Sequence, residues 1–228
     1  MKHQFLGVKK CLNQLTQVED FTFFLPNYIL LYLFSKRVFD IVLSLFGLIG
    51  SAPFLCLGAI LIKLDSRGPI MYKANRVGKG RIPFQMYKFR TMVINADKIG
   101  GSSTPDDDPR ITRMGKFMRK YKLDEFPQLI NVLKGNMSFV GPRPQIQWAV
   151  DLYTLEHLEV LNVAPGITDY ASLRFPNEGE ILSGSTDPDK DYMEKIHPEK
   201  MRLSLEYIRN RSFFGDILII LKTIASII

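Results

Sequence analysis

The feature that most constrains this chain is an apolar run at residues 38–62, VFDIVLSLFGLIGSAPFLCLGAILI, which contains a single charged residue, Asp40. About 20 apolar residues are enough to cross a bilayer, so hydropathy alone predicts a transmembrane helix. Pro53 lies near the middle of the run and should break that helix, because proline removes one helical hydrogen bond and clashes with the preceding turn. The break frees the carbonyl of Ile49, and the hydroxyl of Ser51 offers that carbonyl a donor within lipid.

Basic residues flank both ends of the run, with Lys36–Arg37 before it and Lys63, Arg67 and Lys73 after it. Positive charge favours the cytoplasmic side of a membrane, and a spanning helix would place one of these clusters outside. Each arm of a helix broken at the proline is about 20 Å long, which is too short to cross. The pattern therefore favours a re-entrant helix-break-helix over residues 36–64, with an ordinary transmembrane helix as the alternative.

The composition of the 228-residue chain narrows its class. Hydrophobic residues make up 46% and charged residues 23%, which excludes both an intrinsically disordered chain and a polytopic membrane protein. A formal net charge of +7 indicates anionic partners, such as nucleic acid, anionic lipid, or a nucleotide or phosphate substrate. Cys11 and Cys56 form no disulfide framework or metal motif, which agrees with a reducing compartment.

Residues 1–35 form an N-terminal extension that lacks the residue order of a cleavable signal peptide. Its apolar stretch FTFFLPNYILLYLF is interrupted by Pro26. We interpret the stretch as a membrane-surface segment, with a loosely packed arm as the alternative. The predicted organisation is thus this extension, the re-entrant helix at 36–64, and a cytoplasmic domain at 65–228 that ends in an amphipathic helix.

Strand-like stretches around Ile70–Lys73 and Phe84–Phe89 enclose the glycine-rich VGKGR, which suits a hairpin turn. A phosphate-cradling loop is the alternative, although VGKGR lacks the GKS or GKT ending of such loops. The overlapping stretch YKFRTM should place Lys88 and Arg90 on one face of an extended segment, since strand side chains alternate. These two residues are candidate phosphate ligands, although exposed basic residues on a strand are usually only solvated.

The polar loop STPDDDPRIT carries three successive acids, Asp106–Asp108. They are candidate metal ligands, although acids in a loop are more often solvated, and Asp108 before Pro109 also looks like a helix N-cap. From Ile111 onward, apolar residues recur at helical spacing and predict a buried stripe, with basic residues on the opposite face. The stripe comprises Met114, Phe117, Met118 and Tyr121, and the basic face comprises Arg113, Lys116, Arg119 and Lys120.

Asp124 and Glu125 follow this basic segment in YKLDEFPQLINVLKG. One interpretation is structural: Asp124 caps a helix that runs through EFPQLINVLK and stops at Gly135, and Glu125 interacts favourably with the helix dipole. The other is catalytic: one carboxylate attacks phosphorus while the other binds a hard cation. Nearby arginines would then neutralise the phosphate charge, among them Arg143, whose backbone is fixed by the two prolines of SFVGPRPQ.

Several motifs occur in a fixed order along the chain: KRVFD, the apolar run with its central proline, YKFRTM, DPRITRMGKFMRKYKLDEFPQLINVLKGNMSFVGPRP and PGIT. Together they resemble the bacterial sugar transferases known as monotopic polyprenyl-phosphate phosphoglycosyl transferases, in their short form. The resemblance covers roughly residues 35–225, and the joined DExP and GPRP blocks are its most specific part.

The resemblance implies an enzyme that transfers a sugar 1-phosphate from a nucleotide sugar, usually a UDP-sugar, to polyprenyl (undecaprenyl) phosphate and releases UMP. It implies a covalent aspartyl-phosphosugar intermediate, Mg²⁺ as cofactor, and the first membrane step of exopolysaccharide, lipopolysaccharide or capsule synthesis. The resemblance assigns the nucleophile to Asp124, and the second catalytic acid and metal ligand to Glu125. It assigns phosphate binding to four basic residues, Arg119, Arg143, Lys88 and Arg90. Pro53 with Ser51 is assigned to the membrane break.

The implied fold is a mostly helical α+β monotopic membrane protein with a small β-hairpin, whose catalytic domain lies on the cytoplasmic face of the inner membrane. Two departures from the family pattern stand out. Ala52-Pro53 replaces the usual Ser-Pro, with Ser51 one residue earlier. After PGIT, many members continue GWAQVNGR, whereas this chain has DYASLRFPNEGEILSG, with Arg174 in a shifted context. We expect residues 169–185 to contact the sugar nucleotide.

Two other functions are compatible with parts of the sequence. A nucleic-acid-binding protein would suit the positive charge, but the chain has no aromatic-rich basic motif or helix-turn-helix signature, and an apolar membrane segment argues against it. A catalytically inert membrane scaffold would suit the fold alone. The intact set of Asp124, Glu125, Arg119 and Arg143 argues against that reading.

Overall fold

The structure is a computed structural model that describes residues 27–227. Most of the predicted N-terminal extension, residues 1–26, therefore lies outside the described residues. The chain divides into two units, Met1–Arg37 and Val38–Ile228, and the contacts described below lie within the second.

The described chain is mostly helical with two small sheets, as the sequence predicts. The helices are α1 (Asn27–Asp65), α2 (Ala96–Ile99), α3 (Arg113–Lys120), α4 (Gln128–Lys134), α5 (Gln147–Asp151), α6 (Tyr170–Arg174), α7 (Glu178–Ile181), α8 (Pro188–Asp191), α9 (His197–Asn210) and α10 (Phe213–Ile227). The strands are β1 (Met71–Val77), β2 (Pro83–Phe89), β3 (Ser138–Val140) and β4 (Gly166–Thr168). Shorter helical turns lie at Lys79–Arg81, Leu123–Glu125, His157–Asn162 and Tyr192–Ile196.

Helix α1 continues through Pro53 without interruption, so the two separate arms predicted from the sequence are a single helix here. The hydroxyl of Ser51 donates to the carbonyl of Gly47 at 2.6 Å, not to that of Ile49 as predicted. Such a bond to the residue four positions back tends to bend a helix. By length and composition alone, residues Tyr28–Asp65 are apolar enough to cross a membrane, and 6% of the most apolar window is buried.

Before Pro53, the face of α1 that packs on the rest of the unit is polar. Asp40 and Ser44 are buried, and the Asp40 carboxylate accepts a hydrogen bond from the backbone N–H of Phe139 at 3.1 Å. Beyond Pro53, Ile62 packs with Phe89 in a buried apolar cluster. The opposite face is apolar and exposed, at Phe46, Ile49, Phe54, Leu57 and Ile60 among others.

The predicted hairpin is confirmed. Strands β1 and β2 pair antiparallel, from Met71 opposite Phe89 to Val77 opposite Pro83. The turn closes on itself, since the N–H of Gly78 donates to the carbonyl of Ile82 at 2.9 Å. This favours the turn over the phosphate-cradling alternative.

The predicted stripe on α3 is half right. Met118 is buried, but Phe117 is 51% exposed and Tyr121 is 41% exposed. The helix instead packs closely through Gly115, where an added Cβ would overlap the backbone of Thr91. A side chain at this position would hold the helix too far away, and the close approach turns Phe117 outward.

The acid Asp108 is not the N-cap of α3, contrary to the prediction. Thr112 caps the helix, with its hydroxyl accepting from the N–H of Gly115 at 3.0 Å. The Asp108 carboxylate is instead bound to Arg110, with Nη2 at 2.7 Å. The charged guanidinium attracts the carboxylate more strongly than a backbone N–H does.

Strands β3 and β4 pair in parallel, with Ser138 opposite Gly166 and Val140 opposite Thr168. The two backbones meet closely just past β3, where a Cβ on Gly141 would lie 2.5 Å from the carbonyl oxygen of Ala164. This pairing is not evident in the sequence. It places the GPRP segment beside the chain that leads into α6.

Helix α10 repeats the arrangement seen in α1. Asp216 is buried and accepts from the hydroxyl of Tyr207 at 2.9 Å. Thr223 lies 2.7 Å from the hydroxyl of Thr168. The outward face is an apolar stripe of Phe214, Leu218, Leu221 and Ile224. The amphipathic C-terminal segment is therefore present, but it is two helices separated after Asn210.

Replacing Gly166 with alanine should lower the free energy of unfolding by about 1–3 kcal/mol, the usual cost of overpacking a tight site, because the added Cβ would overlap the backbone of Gly141. Gly50→Ala is the matched control, since a Cβ there meets nothing within 4 Å and alanine favours a helix. Thermal unfolding in detergent measures both. Equal stability of Gly166→Ala and wild type would contradict the close approach.

Candidate active site

The two predicted catalytic acids lie in the short turn Leu123–Glu125, between α3 and α4. The turn follows Lys122, whose backbone is left-handed with φ 54°. Pro127, not Asp124, occupies the N-cap of α4, and no side chain caps that helix. The prediction that Asp124 caps is therefore wrong, because the extra turn separates Asp124 from the helix start. The predicted stop at Gly135 is confirmed, with φ 82°.

Glu125 is held by two cations. Arg143 donates two hydrogen bonds to its carboxylate, with Nη2 at 2.5 Å from Oε1 and Nη1 at 3.3 Å from Oε2. The ammonium of Lys88 lies 2.7 Å from Oε1. Burial alone would raise the pKa of Glu125, but the charges and hydrogen bonds of Arg143 and Lys88 hold it well below its ordinary value. Glu125 is therefore a fixed, ionised carboxylate.

Asp124 is buried but lightly restrained. Its side chain is 9% exposed, and the ammonium of Lys88 lies 3.9 Å from Oδ2, too far for a hydrogen bond. No hydrogen bond to this carboxylate is found among residues 27–227. Burial raises its pKa; Lys88 opposes the rise and the charge of Glu125 adds to it. A carboxylate with free lone pairs in a desolvated site is a good nucleophile once ionised.

The predicted arginines divide into two groups. Arg143 is at the acids, and Arg119 lies close enough for Asp124 to influence its pKa, which burial lowers and the charge of Asp124 raises in part. The Nε of Arg119 donates to the hydroxyl of Thr91 at 2.9 Å, which fixes its orientation.

Arg90 has a different place. Its guanidinium donates to the carbonyls of Arg67 and Ser66, the latter at 2.8 Å, just beyond the end of α1. It is buried. Lys88 and Arg90 therefore do not act on one site, because strand β2 ends at Phe89 and the alternation on which the prediction rests ends with it.

A cavity of about 190 Å³ opens beside the acids. In the described part of the chain, four cationic residues line it, together with one acid, two aromatic residues and three small hydroxyl residues. They are Arg76, Lys88, Arg143 and Lys200; Glu178; Trp148 and Tyr192; and Ser102, Ser103 and Thr104. The surplus of positive charge suits an anionic ligand such as a diphosphate.

Sequence reasoning missed Arg76, Lys200 and Glu178. Arg76 lies on β1, and Lys200 on α9 is only 5% exposed. A buried lysine carries no local sequence signal, and its place in the cavity depends on packing between distant segments. A weak signal existed for Glu178, which lies within residues 169–185.

The acids Asp106–Asp108 do not form a metal site. Among residues 27–227, no group of three or more His, Cys, Asp or Glu side chains is arranged to hold a metal ion. Asp108 is paired with Arg110, and the Asp107 carboxylate accepts from the N–H of Gly184 at 3.2 Å. Asp107 and Asp108 therefore connect the loop that contains them to neighbouring segments of the chain.

Comparison with known proteins identifies the family. The sequence profile described as "Bacterial sugar transferase" matches residues 31–228. The chain belongs to the bacterial sugar transferase family. The family predicted from the motifs is therefore confirmed.

The chain is 38% identical over 205 residues to the UDP-N-acetylgalactosamine-undecaprenyl-phosphate N-acetylgalactosaminephosphotransferase of Aeromonas hydrophila, a match that covers 87% of this chain and 44% of that protein. It is 39% identical over 197 residues to the UDP-glucose:undecaprenyl-phosphate glucose-1-phosphate transferase of Escherichia coli (strain K12), with 83% and 39% covered. It is 39% identical over 202 residues to the exopolysaccharide production protein PSS of Rhizobium leguminosarum bv. phaseoli, with 84% and 94% covered.

The chain thus spans less than half the length of the first two relatives and nearly all of the third. The names of the first two share undecaprenyl phosphate and differ in the sugar.

Asp124→Asn should be at least as stable as wild type at pH 7–8. The pKa of Asp124 is higher in the folded than in the unfolded state, so its ionisation costs stability. That cost is absent below the unfolded pKa and complete above the folded pKa. The advantage of asparagine should therefore shrink as the pH falls toward about 4. Thermal unfolding across this range measures it, with the exposed Asp97→Asn as control. A loss of stability that is the same at every pH would contradict the cost of burying this charge.

Proposed function

We propose that this chain transfers a sugar 1-phosphate from a UDP-sugar to undecaprenyl phosphate and releases UMP, as the first membrane step of surface glycan synthesis. The observation that carries the proposal is the pairing of Asp124 with Glu125 beside a cavity lined by cations. Family membership and the names of the relatives support it. A lightly restrained carboxylate next to a fixed one suits phosphoryl transfer better than it suits capping or nucleic-acid binding.

The chemistry proceeds in two displacements at one phosphorus atom. An oxygen of Asp124 attacks the β-phosphorus of the UDP-sugar, a new P–O bond forms, and UMP leaves with the electrons of the broken bond. An oxygen of undecaprenyl phosphate then attacks the same phosphorus, and the Asp124 carboxylate is the leaving group. Lys88, Arg119 and Arg143 stabilise the negative charge on the phosphoryl oxygens in both steps.

Glu125 fits the proposed role of Mg²⁺ ligand in its chemistry. It is ionised, and among residues 27–227 its Oε2 receives only the 3.3 Å contact from Arg143. The chain would supply one or two carboxylates, with substrate phosphates and water as the other ligands, as is usual for this ion. Mg²⁺ bound there would neutralise phosphate charge.

The proposed location is the cytoplasmic face of the inner membrane, with residues 36–64 embedded as a shallow re-entrant segment that bends at Pro53, where one helical hydrogen bond is missing. Contacts of α1 with the rest of its unit run from Asp40 to Ile62, about 33 Å of helix. A spanning orientation would carry α3, with its four basic residues, into the hydrocarbon region, at a high cost. The exposed apolar faces of α1 and α10 support lipid contact instead.

Asp124→Asn should reduce UMP release by about a thousandfold or more, since the attacking charge is lost. Glu125→Gln should also be severe, with part of the activity restored at high Mg²⁺ because the metal site is weakened. Intact-mass analysis of wild type mixed with UDP-sugar, without acceptor, should detect an added sugar phosphate that Asp124→Asn lacks. Asp97→Asn is the matched control and should stay active. A fully active Asp124→Asn protein would contradict the covalent mechanism.

Absence of UMP release by wild type from every UDP-sugar would instead favour an inert scaffold. Salt-dependent retardation of DNA by the detergent-solubilised protein would revive the nucleic-acid alternative.

Both ends of residues 36–64 should be accessible from the same, cytoplasmic side of the membrane. Single cysteines replace Lys36 or Lys63 in a protein whose Cys11 and Cys56 are changed to serine. An impermeant thiol reagent should label both positions in inside-out vesicles and neither in intact spheroplasts. Opposite labelling of the two positions would establish a span. Pro53→Ala should shift some molecules toward that span, because it restores a helical hydrogen bond.

A further inference from the structure

Glu178 and Lys200 form an ion pair in the wall of the cavity. The ammonium of Lys200 lies 2.8 Å from Oε1 of Glu178. The lysine side chain is 7% exposed and the glutamate side chain 30% exposed, so the glutamate is the member that reaches the open space. Burying such a pair contributes little to stability on balance, since desolvation offsets the attraction. A role in the cavity is the better explanation for it.

The charge of Glu178 is unusual in this place. Of the described residues that line the cavity, it is the one acid among four cations. Burial would raise its pKa, but Lys200 and Arg143 lower it overall, and the carboxylate stays ionised. An ionised carboxylate repels a diphosphate and accepts hydrogen bonds from neutral O–H and N–H groups. It therefore suits a neutral part of the ligand.

The position of Glu178 indicates which neutral part. Glu178 lines the same cavity as Arg143, and Arg143 binds Glu125 beside the proposed nucleophile. In a UDP-sugar, the neutral group attached to the reacting phosphate is the sugar. The nucleoside lies one phosphate farther away.

Glu178 is also well positioned for recognition. It is the first residue of α7, and the carbonyl of the next residue, Gly179, accepts from the N–H of Asp106 at 3.0 Å. Lys200 comes from α9, which holds the carboxylate from the other side. A preorganised carboxylate of this kind discriminates between hydroxyl arrangements better than a mobile one.

We infer that Glu178, positioned by Lys200, determines the specificity for the donor sugar by accepting hydrogen bonds from its hydroxyl or amide groups. This inference rests on the proposed function. It accounts for the place of Glu178 in the segment that departs from the family pattern. It also agrees with the different sugars named for relatives of nearly equal identity.

The test compares UMP release from four donors, UDP-glucose, UDP-galactose, UDP-N-acetylglucosamine and UDP-N-acetylgalactosamine, with undecaprenyl phosphate as acceptor. Glu178→Gln should lower the ratio of kcat/KM between the best donor and its C4 epimer by about tenfold or more, since one charge-assisted hydrogen bond is weakened. The affinity for UDP, which carries no sugar, should not fall, because the variant removes a charge that repels the diphosphate. Glu199→Gln, on the exposed side of α9, is the matched control and should keep the wild-type ratio.

A second variant covers the case in which Glu178→Gln fails to fold with an unpaired Lys200. Glu178→Gln combined with Lys200→Met leaves no unpaired charge and should give the same loss of epimer ratio. An unchanged ratio in a folded variant, or a parallel loss of UDP affinity, overturns the inference. So does a wild-type enzyme that accepts all four donors equally. Failure of wild type to release UMP from any donor overturns the proposed function itself.

Discussion

The carboxylate of Glu125 is the point on which the rest of the site depends. Lys88 reaches it from the end of the hairpin and Arg143 from the segment after β3, so three distant parts of the chain meet on one side chain. Two cations around one acid leave no hydrogen-bond partner in the described residues for its neighbour, Asp124. The two adjacent acids therefore differ, since Glu125 is fixed and ionised while Asp124 is buried with no hydrogen-bond partner among the described residues.

Local signals in the sequence predicted local structure well. The hairpin and the stop at Gly135 follow from turn chemistry, whereas the phosphate-binding roles of Lys88, Arg119 and Arg143 come from the family resemblance and stay predictions. Predictions that depended on partners elsewhere in the chain were wrong. Asp108 does not cap α3, because its carboxylate binds the guanidinium of Arg110 more strongly than it would bind the backbone N–H groups at the helix start. Phe117 turns outward because Gly115 brings α3 against Thr91. The parallel pairing of β3 with β4, and with it much of the cavity, depends on close backbone approach that no local pattern encodes.

The two apolar helices show a common principle. In α1 and α10 the buried faces carry polar residues (Asp40, Ser44 and Asp216) beside buried Ile62 and Ile219, while most of the phenylalanine, leucine and isoleucine side chains are exposed. This is the reverse of a helix in a water-soluble protein. The buried acids of the two helices satisfy backbone and hydroxyl donors, as with Phe139 and Tyr207. Hydrogen bonds of buried polar groups therefore help to fix how these helices pack, and most of their apolar surface stays exposed.

The hydrogen bonds of Arg90 have a geometric consequence. They tie the carbonyls just beyond α1 to the residue that follows β2, and Lys88, two positions earlier, holds Glu125. Residues 88–90 therefore connect the end of the apolar helix directly to the two acids. With α1 seated in the bilayer as proposed, the acids stand at a set height above the lipid surface. In the proposed reaction, the phosphate of the lipid carrier has to reach that height. The depth of the headgroup in the membrane, and not the length of the lipid tail, would then decide whether the carrier reacts.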